Sequence, residues 1–200
     1  MGLWSKIKSF FSGSNEITVN DIQVIDRFQF DPVDEGDTIT LKKDAHVQLE
    51  ITRYADINKK GRKKHKAIME IHFGTGFKTN GASVPKKFRR EMPAYIAMDD
   101  KYAHIYNAAA FIHDGLYACK GIIEETGKNN SSNSKERYTL TRDECDDILR
   151  GIWRESRFVD RFKAAIGDLG VGLFAGGSEH WGNDDQKCSA LFKVTIAYKD

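Results

Sequence analysis

Residues 46–52, HVQLEIT, decide the fold class, because polar and apolar side chains alternate along this stretch. A period of two places Val47, Leu49 and Ile51 on one face of a strand and the polar side chains on the other. Such alternation is typical of an antiparallel sheet with one face against the core and one against solvent. The sequence therefore predicts a β-strand with a single buried face here.

Segments rich in β-branched and aromatic residues lie on both sides of this stretch and predict further strands. The basic run at residues 59–66 is expected at the tip of a hairpin between two of them. There a solvated turn is favoured over contact with phosphate groups of lipid or nucleic acid. The predicted strands are Ile17–Val19, Ile22–Ile25, Thr38–Leu41, Val47–Tyr54, Ala67–Phe73 and Leu191–Tyr198.

The hydrophobic period changes to that of helices after about residue 100. One helix is predicted from Tyr102 to Cys119, and a surface loop from Lys120 to Tyr138. Thr141, followed three residues later by Glu144, is a capping box that begins a second helix, which ends near Arg154. We therefore predict an α+β fold, in which an N-terminal antiparallel β region precedes a mainly helical half with an antiparallel helix pair.

Both ends of the chain add further expectations. Residues 1–13, MGLWSKIKSFFSG, predict an amphipathic helix before a single α+β domain at residues 14–200. A third helix is expected at 158–169, and the glycine-rich residues 167–177 are interpreted as close backbone packing. The N-terminal helix suits the surface of an anionic membrane, with docking to a partner protein as the alternative. Its apolar arc consists of Leu3, Trp4, Ile7, Phe10 and Phe11.

Composition narrows the function classes. The chain carries 31 basic and 29 acidic residues, a net charge of +2, so we expect no specific binding of nucleic acid. Three cysteines without C-x-x-C spacing predict neither a zinc knuckle nor a disulfide framework, and they favour a reducing compartment. No apolar run approaches the roughly 20 residues that span a bilayer, and no signal peptide is recognisable.

The adjacent residues His113 and Asp114 are the candidates for chemistry. On a helix they point about 100° apart, so they suit two separate roles, a base and a carboxylate that ligates a metal. Tyr117 lies four residues after His113, on the same face. If the helices pack antiparallel, Asp146 can accept a hydrogen bond from the imidazole, which fixes its tautomer and leaves the other nitrogen as the base.

The remaining carboxylates of the second helix are expected to have other roles. Asp143 and Asp147 are interpreted as solvated or capping groups, because carboxylates in a first helical turn complement the macrodipole. The alternative to a catalytic site is a structural network in which the same histidine and aspartates hold the two helices in register.

Three motifs resemble a family of phage and prophage proteins that is catalogued as a domain of unknown function. They are FKTNGASVP at 77–85, AAAFIHDGLY at 108–117 and TRDECD at 141–146, within a similar core at about 70–182. The family pattern has aspartate where Asn80 stands. The resemblance implies a virion or host-cytoplasm location, peripheral to the host inner membrane, with phage structural proteins as partners.

The helix pair also resembles phospholipase A2, which carries H-D-x-x-Y on one helix and, in bacterial forms, R-x-x-C-D on a later one. The resemblance implies that His113, oriented by Asp146 and assisted by Tyr117, activates water, while Asp114 ligates calcium. Further calcium oxygens would come from the loop that contains Asn80 and Gly81. The implied function is calcium-dependent lipid-ester hydrolysis at the host envelope. The alternative is a non-catalytic structural or accessory virion protein.

Overall fold

The chain folds as an α+β protein, as predicted. The computed structural model describes residues 17–31, 38–56, 62–81, 93, 95–97, 100–125, 137–156 and 191–199. The strands are β1 (Ile17–Asp26), β2 (Ile39–Thr40), β3 (Ala45–Asp56), β4 (Arg62–Phe73), β5 (Lys78–Thr79), β6 (Ile122–Glu125), β7 (Arg137–Thr139) and β8 (Phe192–Lys199). The helices are α1 (Lys101–Ala118) and α2 (Arg142–Glu155).

Six of the strands form one sheet in the order β1-β3-β4-β8-β6-β7, and β2 pairs with β5. Among the strands that the structure describes, all pairs are antiparallel except β6 with β8, which is parallel. The predicted N-terminal antiparallel region is confirmed. The prediction of a loop at Lys120–Tyr138 is wrong at both ends, because β6 and β7 lie there. These strands have four and three residues, too few to show a period of two.

The alternation in β3 is confirmed, since Val47, Leu49 and Ile51 are fully buried. The residues opposite them on β4 are buried as well. Each side chain of this kind contributes about 1.5–3 kcal/mol relative to an exposed position. The β3–β4 hairpin is therefore the centre of the core.

Strand β1 was predicted as two strands but is continuous. The register against β3 shifts between Val19 and Asp21, so Asn20 occupies a bulge. The amide of Asn20 donates a hydrogen bond of 2.9 Å to the Thr52 hydroxyl on β3. An extra residue breaks the period of two, which is why the sequence pattern appears interrupted.

The basic run at 59–66 does not belong entirely to a turn. Strand β4 begins at Arg62, which pairs with Asp56, so the second half of the run lies within the hairpin. Lys64 and Lys66 are exposed on this strand.

Helices α1 and α2 pack antiparallel, as predicted. Tyr117, near the end of α1, hydrogen-bonds Asp146 in the first half of α2. At the other end of the pair, the rings of Tyr106 and Trp153 stack with centroids 6.1 Å apart. The two contacts join the end of one helix to the beginning of the other, which fixes the orientation.

Helix α1 crosses the apolar face of the sheet at close range. Phe111 contacts the rings of Phe28, Phe73 and Phe77. A Cβ atom at Gly115 would lie only 2.3 Å from Cε2 of Phe192, so glycine is required for the helix to approach β8 this closely. The absence of a side chain at Gly115 therefore sets how closely this part of α1 packs on β8.

Cys119, which caps α1, is disulfide-bonded. Its sequence spacing gave no signal, because a disulfide depends on three-dimensional proximity. Cys145 is a free, buried thiol. The expected helices at 1–13 and 158–169 and the glycine-rich stretch lie outside the described residues. Within the described ranges, neither helix is long and apolar enough to cross a membrane.

Candidate functional site

Helix α1 carries His113 and Asp114 and has a defined start and end. The carboxylate of Asp100 caps the helix by accepting hydrogen bonds of 2.7 and 2.8 Å from the backbone amides of residues 102 and 103. At the other end, Lys120 and Gly121 have φ angles of 52° and 68°, and the Gly121 amide donates to the Leu116 carbonyl at 2.8 Å. This left-handed turn ends the helix soon after Tyr117.

Helix α2 carries Asp146, and its first turn is fixed twice. The predicted capping box is present: the Glu144 amide donates to the Thr141 hydroxyl, and the Thr141 amide donates to the Glu144 carboxylate. The same carboxylate accepts a hydrogen bond of 2.6 Å from Nε of Arg53 on β3. The start of α2 is therefore held against the sheet, and Asp146 with it.

His113 and Asp146 form a hydrogen-bonded pair across the two helices. Nε2 of His113 lies 3.0 Å from Oδ1 of Asp146. The Tyr117 hydroxyl donates to the same oxygen at 2.6 Å. Because an ionised carboxylate only accepts hydrogen bonds, Nε2 carries the proton in the neutral imidazole and Nδ1 is the basic nitrogen.

The pKa shifts of His113 and Asp146 favour a protonated imidazole beside an ionised carboxylate. Burial lowers the pKa of His113, but the negative charge of Asp114, together with the charge of Asp146 and its acceptance of a hydrogen bond from the imidazole, outweighs burial and raises the pKa overall. Burial raises the pKa of Asp146, and hydrogen bonds from His113 and Tyr117 outweigh it and lower that pKa. Burial and the bond to Asp146 also raise the pKa of Tyr117, so its hydroxyl stays a donor.

The end of β5 lies beside Asp114. The Thr79 hydroxyl donates a hydrogen bond to Oδ2 of Asp114, and the Gly81 amide donates to the Thr79 hydroxyl at 2.9 Å. Gly81 has a φ of 74°, which favours glycine, and Asn80 is exposed. The other oxygen of Asp114 lies 3.9 Å from Nδ1 of His113. The structure thus brings Thr79 to Asp114 and Gly81 to Thr79, while the other oxygen of Asp114 lies on the Nδ1 side of the imidazole.

The residues around Asp114 were expected to hold a calcium ion. Calcium takes about six to eight oxygen ligands. In the described part of the chain, no three His, Cys, Asp or Glu side chains are arranged to hold a metal ion. Asp114 supplies a carboxylate, but one of its oxygens already accepts the Thr79 hydroxyl. The described residues therefore do not complete a calcium site, and calcium rests on the resemblance to phospholipase A2.

Two polar residues of the site were not predicted, although both lie within the three sequence motifs. Thr79 is the donor to Asp114. Nε of Arg142 donates to the Tyr117 hydroxyl at 3.1 Å, and its guanidinium carbon lies 5.8 Å from the Tyr117 ring centroid. The position of Thr79 and Arg142 in the motifs was a signal that they belong to the site. It did not indicate that Thr79 would bond Asp114 or that Arg142 would bond Tyr117.

The expectation for Asp147 is wrong. This residue is 3% exposed, accepts a hydrogen bond of 3.3 Å from the Ile17 amide and forms an ion pair with Arg150. It faces β1 instead of solvent, because α2 packs on that strand. Asp143, in contrast, is exposed in the first turn of the helix, as expected. The membrane-facing residues predicted at 3–11 lie outside the described residues.

Comparison with known proteins places the chain in a family. The model of the family described as "Protein of unknown function (DUF1353)" matches residues 56–171. The match covers more than half of the chain, so the chain belongs to this family, and the predicted resemblance to a domain of unknown function is confirmed. The matched region begins at residue 56, earlier than the similar core that was predicted from about residue 70. No curated protein and no solved structure matches the chain.

Proposed function

We propose that this DUF1353 protein is a hydrolase of lipid carboxylic esters in which His113 activates the attacking water. The observation that carries the proposal is the hydrogen bond of 3.0 Å between Nε2 of His113 and Asp146. It orients the imidazole and leaves Nδ1 to accept a proton. The side chains of His113 and Asp146 are 20% and 23% exposed, so the pair lies at the surface of the helix pair, within reach of a substrate.

Each step of the reaction has a residue to support it. Nδ1 of His113 takes a proton from water as the water oxygen attacks the ester carbonyl carbon. Asp146, held by Tyr117, stabilises the resulting imidazolium, and Asp114 adds negative charge 3.9 Å from Nδ1. The imidazolium then gives its proton to the leaving alcohol as the carbonyl re-forms. General base catalysis of this kind contributes about 10²–10⁴-fold.

Calcium is part of the proposal through the resemblance alone. When bound, calcium would polarise the ester carbonyl, with Asp114 as its carboxylate ligand and the loop at Asn80 and Gly81 as the nearest further source of oxygens. No step above depends on it.

The proposed lipid substrate and the proposed location are supported by features of the sequence. The motif resemblance to phage proteins supports a virion-associated protein, or one that acts at the host envelope. The amphipathic residues 1–13 support contact with a membrane surface, which an enzyme acting on lipid requires.

The test is release of fatty acid from phosphatidylglycerol in mixed micelles, with and without calcium, by the purified full-length chain. We expect His113→Asn to reduce the rate at least about 100-fold, as loss of a general base requires. His72→Asn is the matched control, because His72 is exposed on β4, and it should retain the wild-type rate. No release by the wild type, or equal rates in wild type and His113→Asn, would refute the proposal.

A non-catalytic role as a virion or accessory protein is the second candidate. It is favoured by the two hydrogen bonds to Asp146, which by themselves join α1 to α2. It predicts no hydrolysis by the wild type and a loss of about 1–3 kcal/mol of unfolding free energy in His113→Asn, since the mutation leaves a partly buried acceptor without its donor. Urea unfolding measures that loss.

A further inference from the structure

The imidazole of His113 lies between two carboxylates, one beside each ring nitrogen. Nε2 is 3.0 Å from Oδ1 of Asp146, within hydrogen-bond distance, and Nδ1 is 3.9 Å from Oδ1 of Asp114, beyond that distance. A neutral imidazole carries one proton, which resides on the nitrogen that makes the better hydrogen bond. The distance between Asp114 and Nδ1 therefore decides which nitrogen is left to act as a base.

A small movement of Asp114 would close this distance. An N–H···O hydrogen bond is about 2.7–3.2 Å long, so the carboxylate needs to approach Nδ1 by only about 1 Å. The terminal torsion of an aspartate has broad minima, so the carboxylate turns easily. The side chain of Asp114 is 26% exposed, and packing alone does not hold it. A specific polar contact is needed to keep the carboxylate away from Nδ1.

Thr79 supplies this contact. Its hydroxyl donates to Oδ2 of Asp114, and because an ionised carboxylate only accepts hydrogen bonds, the single hydroxyl proton is committed there. The hydroxyl oxygen in turn accepts a hydrogen bond of 2.9 Å from the Gly81 amide. Thr79 is 4% exposed and lies opposite Ile39 in the pairing of β5 with β2. A buried donor on a paired strand is thus the fixed point that holds Asp114.

We propose that Thr79 is a positioning residue that keeps Asp114 away from Nδ1 and thereby sets the tautomer of His113. This inference rests on the proposed function, because the tautomer matters for hydrolysis only where Nδ1 is the base. Without the hydroxyl, Asp114 turns toward Nδ1 and accepts the imidazole proton at that nitrogen. An imidazole with its proton on Nδ1 cannot accept another from water there.

The experiment compares variants of the full-length chain that keep or remove the hydroxyl. Thr79→Val removes it at similar side-chain size, and Thr79→Ser keeps it. Thr75→Val is the matched control, because the Thr75 hydroxyl also donates to a carboxylate, that of Asp44 at 2.8 Å, outside the site. Nitrogen-15 NMR of the ring, in calcium-free buffer at a pH where His113 is neutral, distinguishes the two tautomers. Fatty acid release from phosphatidylglycerol gives kcat and KM.

We expect wild type, Thr79→Ser and Thr75→Val to carry the proton on Nε2. Thr79→Val should move it to Nδ1 in about half of the molecules or more and lower kcat by about 3- to 10-fold, because fewer molecules hold a competent base. KM should not change, since the buried Thr79 does not reach the substrate. In an Asp114→Ala background, Thr79→Val should not alter the tautomer, because the competing carboxylate is absent. If Thr79→Val fails to fold, as its melting curve would show, Thr79→Ala takes its place.

Four results would overturn the inference. They are a proton on Nδ1 in the wild type, a tautomer that Thr79→Val leaves unchanged, a shift in Thr79→Ser or Thr75→Val as large as that in Thr79→Val, and a shift that persists in the Asp114→Ala background. The expected shift without fatty acid release by the wild type would refute the hydrolase and leave the role of Thr79 established.

Discussion

Replacing Asp146 with asparagine tests the central pair while keeping the shape of the side chain. In the wild type, one oxygen accepts hydrogen bonds of 3.0 Å from His113 and 2.6 Å from Tyr117. Hydrogen bonds to a charged acceptor contribute about 1.5–3 kcal/mol each, and neutral ones about 0.5–1.5 kcal/mol. Because both bonds lose their charged acceptor, we expect Asp146→Asn to lower the unfolding free energy by about 2–3 kcal/mol.

The unfolding free energy lost in Asp146→Asn should depend on pH, and the pKa shifts of His113 and Asp146 determine the direction of that dependence. The pKa of folded His113 is raised, so its stabilisation is fully present below the unfolded value of about 6.5 and is lost as pH rises through the folded pKa. The pKa of folded Asp146 is lowered, so its stabilisation is present above about pH 3.9 and is lost as pH falls through the folded pKa. Both contributions are complete between about pH 4 and 6.5.

Urea unfolding at about pH 5.5 and 8.5, together with an NMR titration of the His113 ring, measures these effects. Asp146→Asn should be most destabilising at the lower pH, and the pKa of His113 should fall in the variant. Asp143→Asn is the control, because Asp143 is exposed in the first turn of the same helix and should cost less than about 1 kcal/mol. An unchanged His113 pKa, or equal losses at both pH values, would refute the reasoning.

Three further predictions concern packing, a buried charge and the metal. Gly115→Ala should cost about 1–3 kcal/mol in urea unfolding, because the new Cβ would lie 2.3 Å from Phe192; wild-type stability would show that α1 shifts freely. Asp147→Asn should cost about 3–5 kcal/mol, because Arg150 loses a buried carboxylate partner; a loss below about 1 kcal/mol would contradict this. Calcium should raise the melting temperature of the wild type with concentration and have no effect on Asp114→Asn; an unresponsive wild type would argue against calcium.

The parts of the fold that could be predicted are those that local sequence determines. The alternation in β3 and the capping box at Thr141 depend on residues close together in the chain, and both are present. The continuity of β1 could not be predicted, because the bulge at Asn20 is stabilised by Thr52 on another strand. Strands β6 and β7 are too short for a pattern, and the parallel pairing of β6 with β8 joins segments far apart in sequence.

The site was predictable to the extent that helix geometry determines it. Antiparallel packing of two helices was enough to select Asp146 as the partner of His113. The contacts of Thr79 and Arg142 connect positions 35 and 25 residues apart, and no local pattern specifies them. Asp147 was misplaced for the same reason, since its burial depends on where α2 packs against β1.

The convergence of three sequence motifs at one place argues for a binding site over a helix-pairing network. Thr79 contacts Asp114, His113 contacts Asp146, and Arg142 contacts the hydroxyl of Tyr117, which itself bonds Asp146. Apolar packing would join two helices at least as well, because polar groups lose hydration when they are buried. The side chains of His113, Asp114 and Asp146 are instead 20%, 26% and 23% exposed, at the margin of the core. Polar groups at that margin remain accessible to a ligand, and this accessibility is the argument for a binding role beside their contribution to stability.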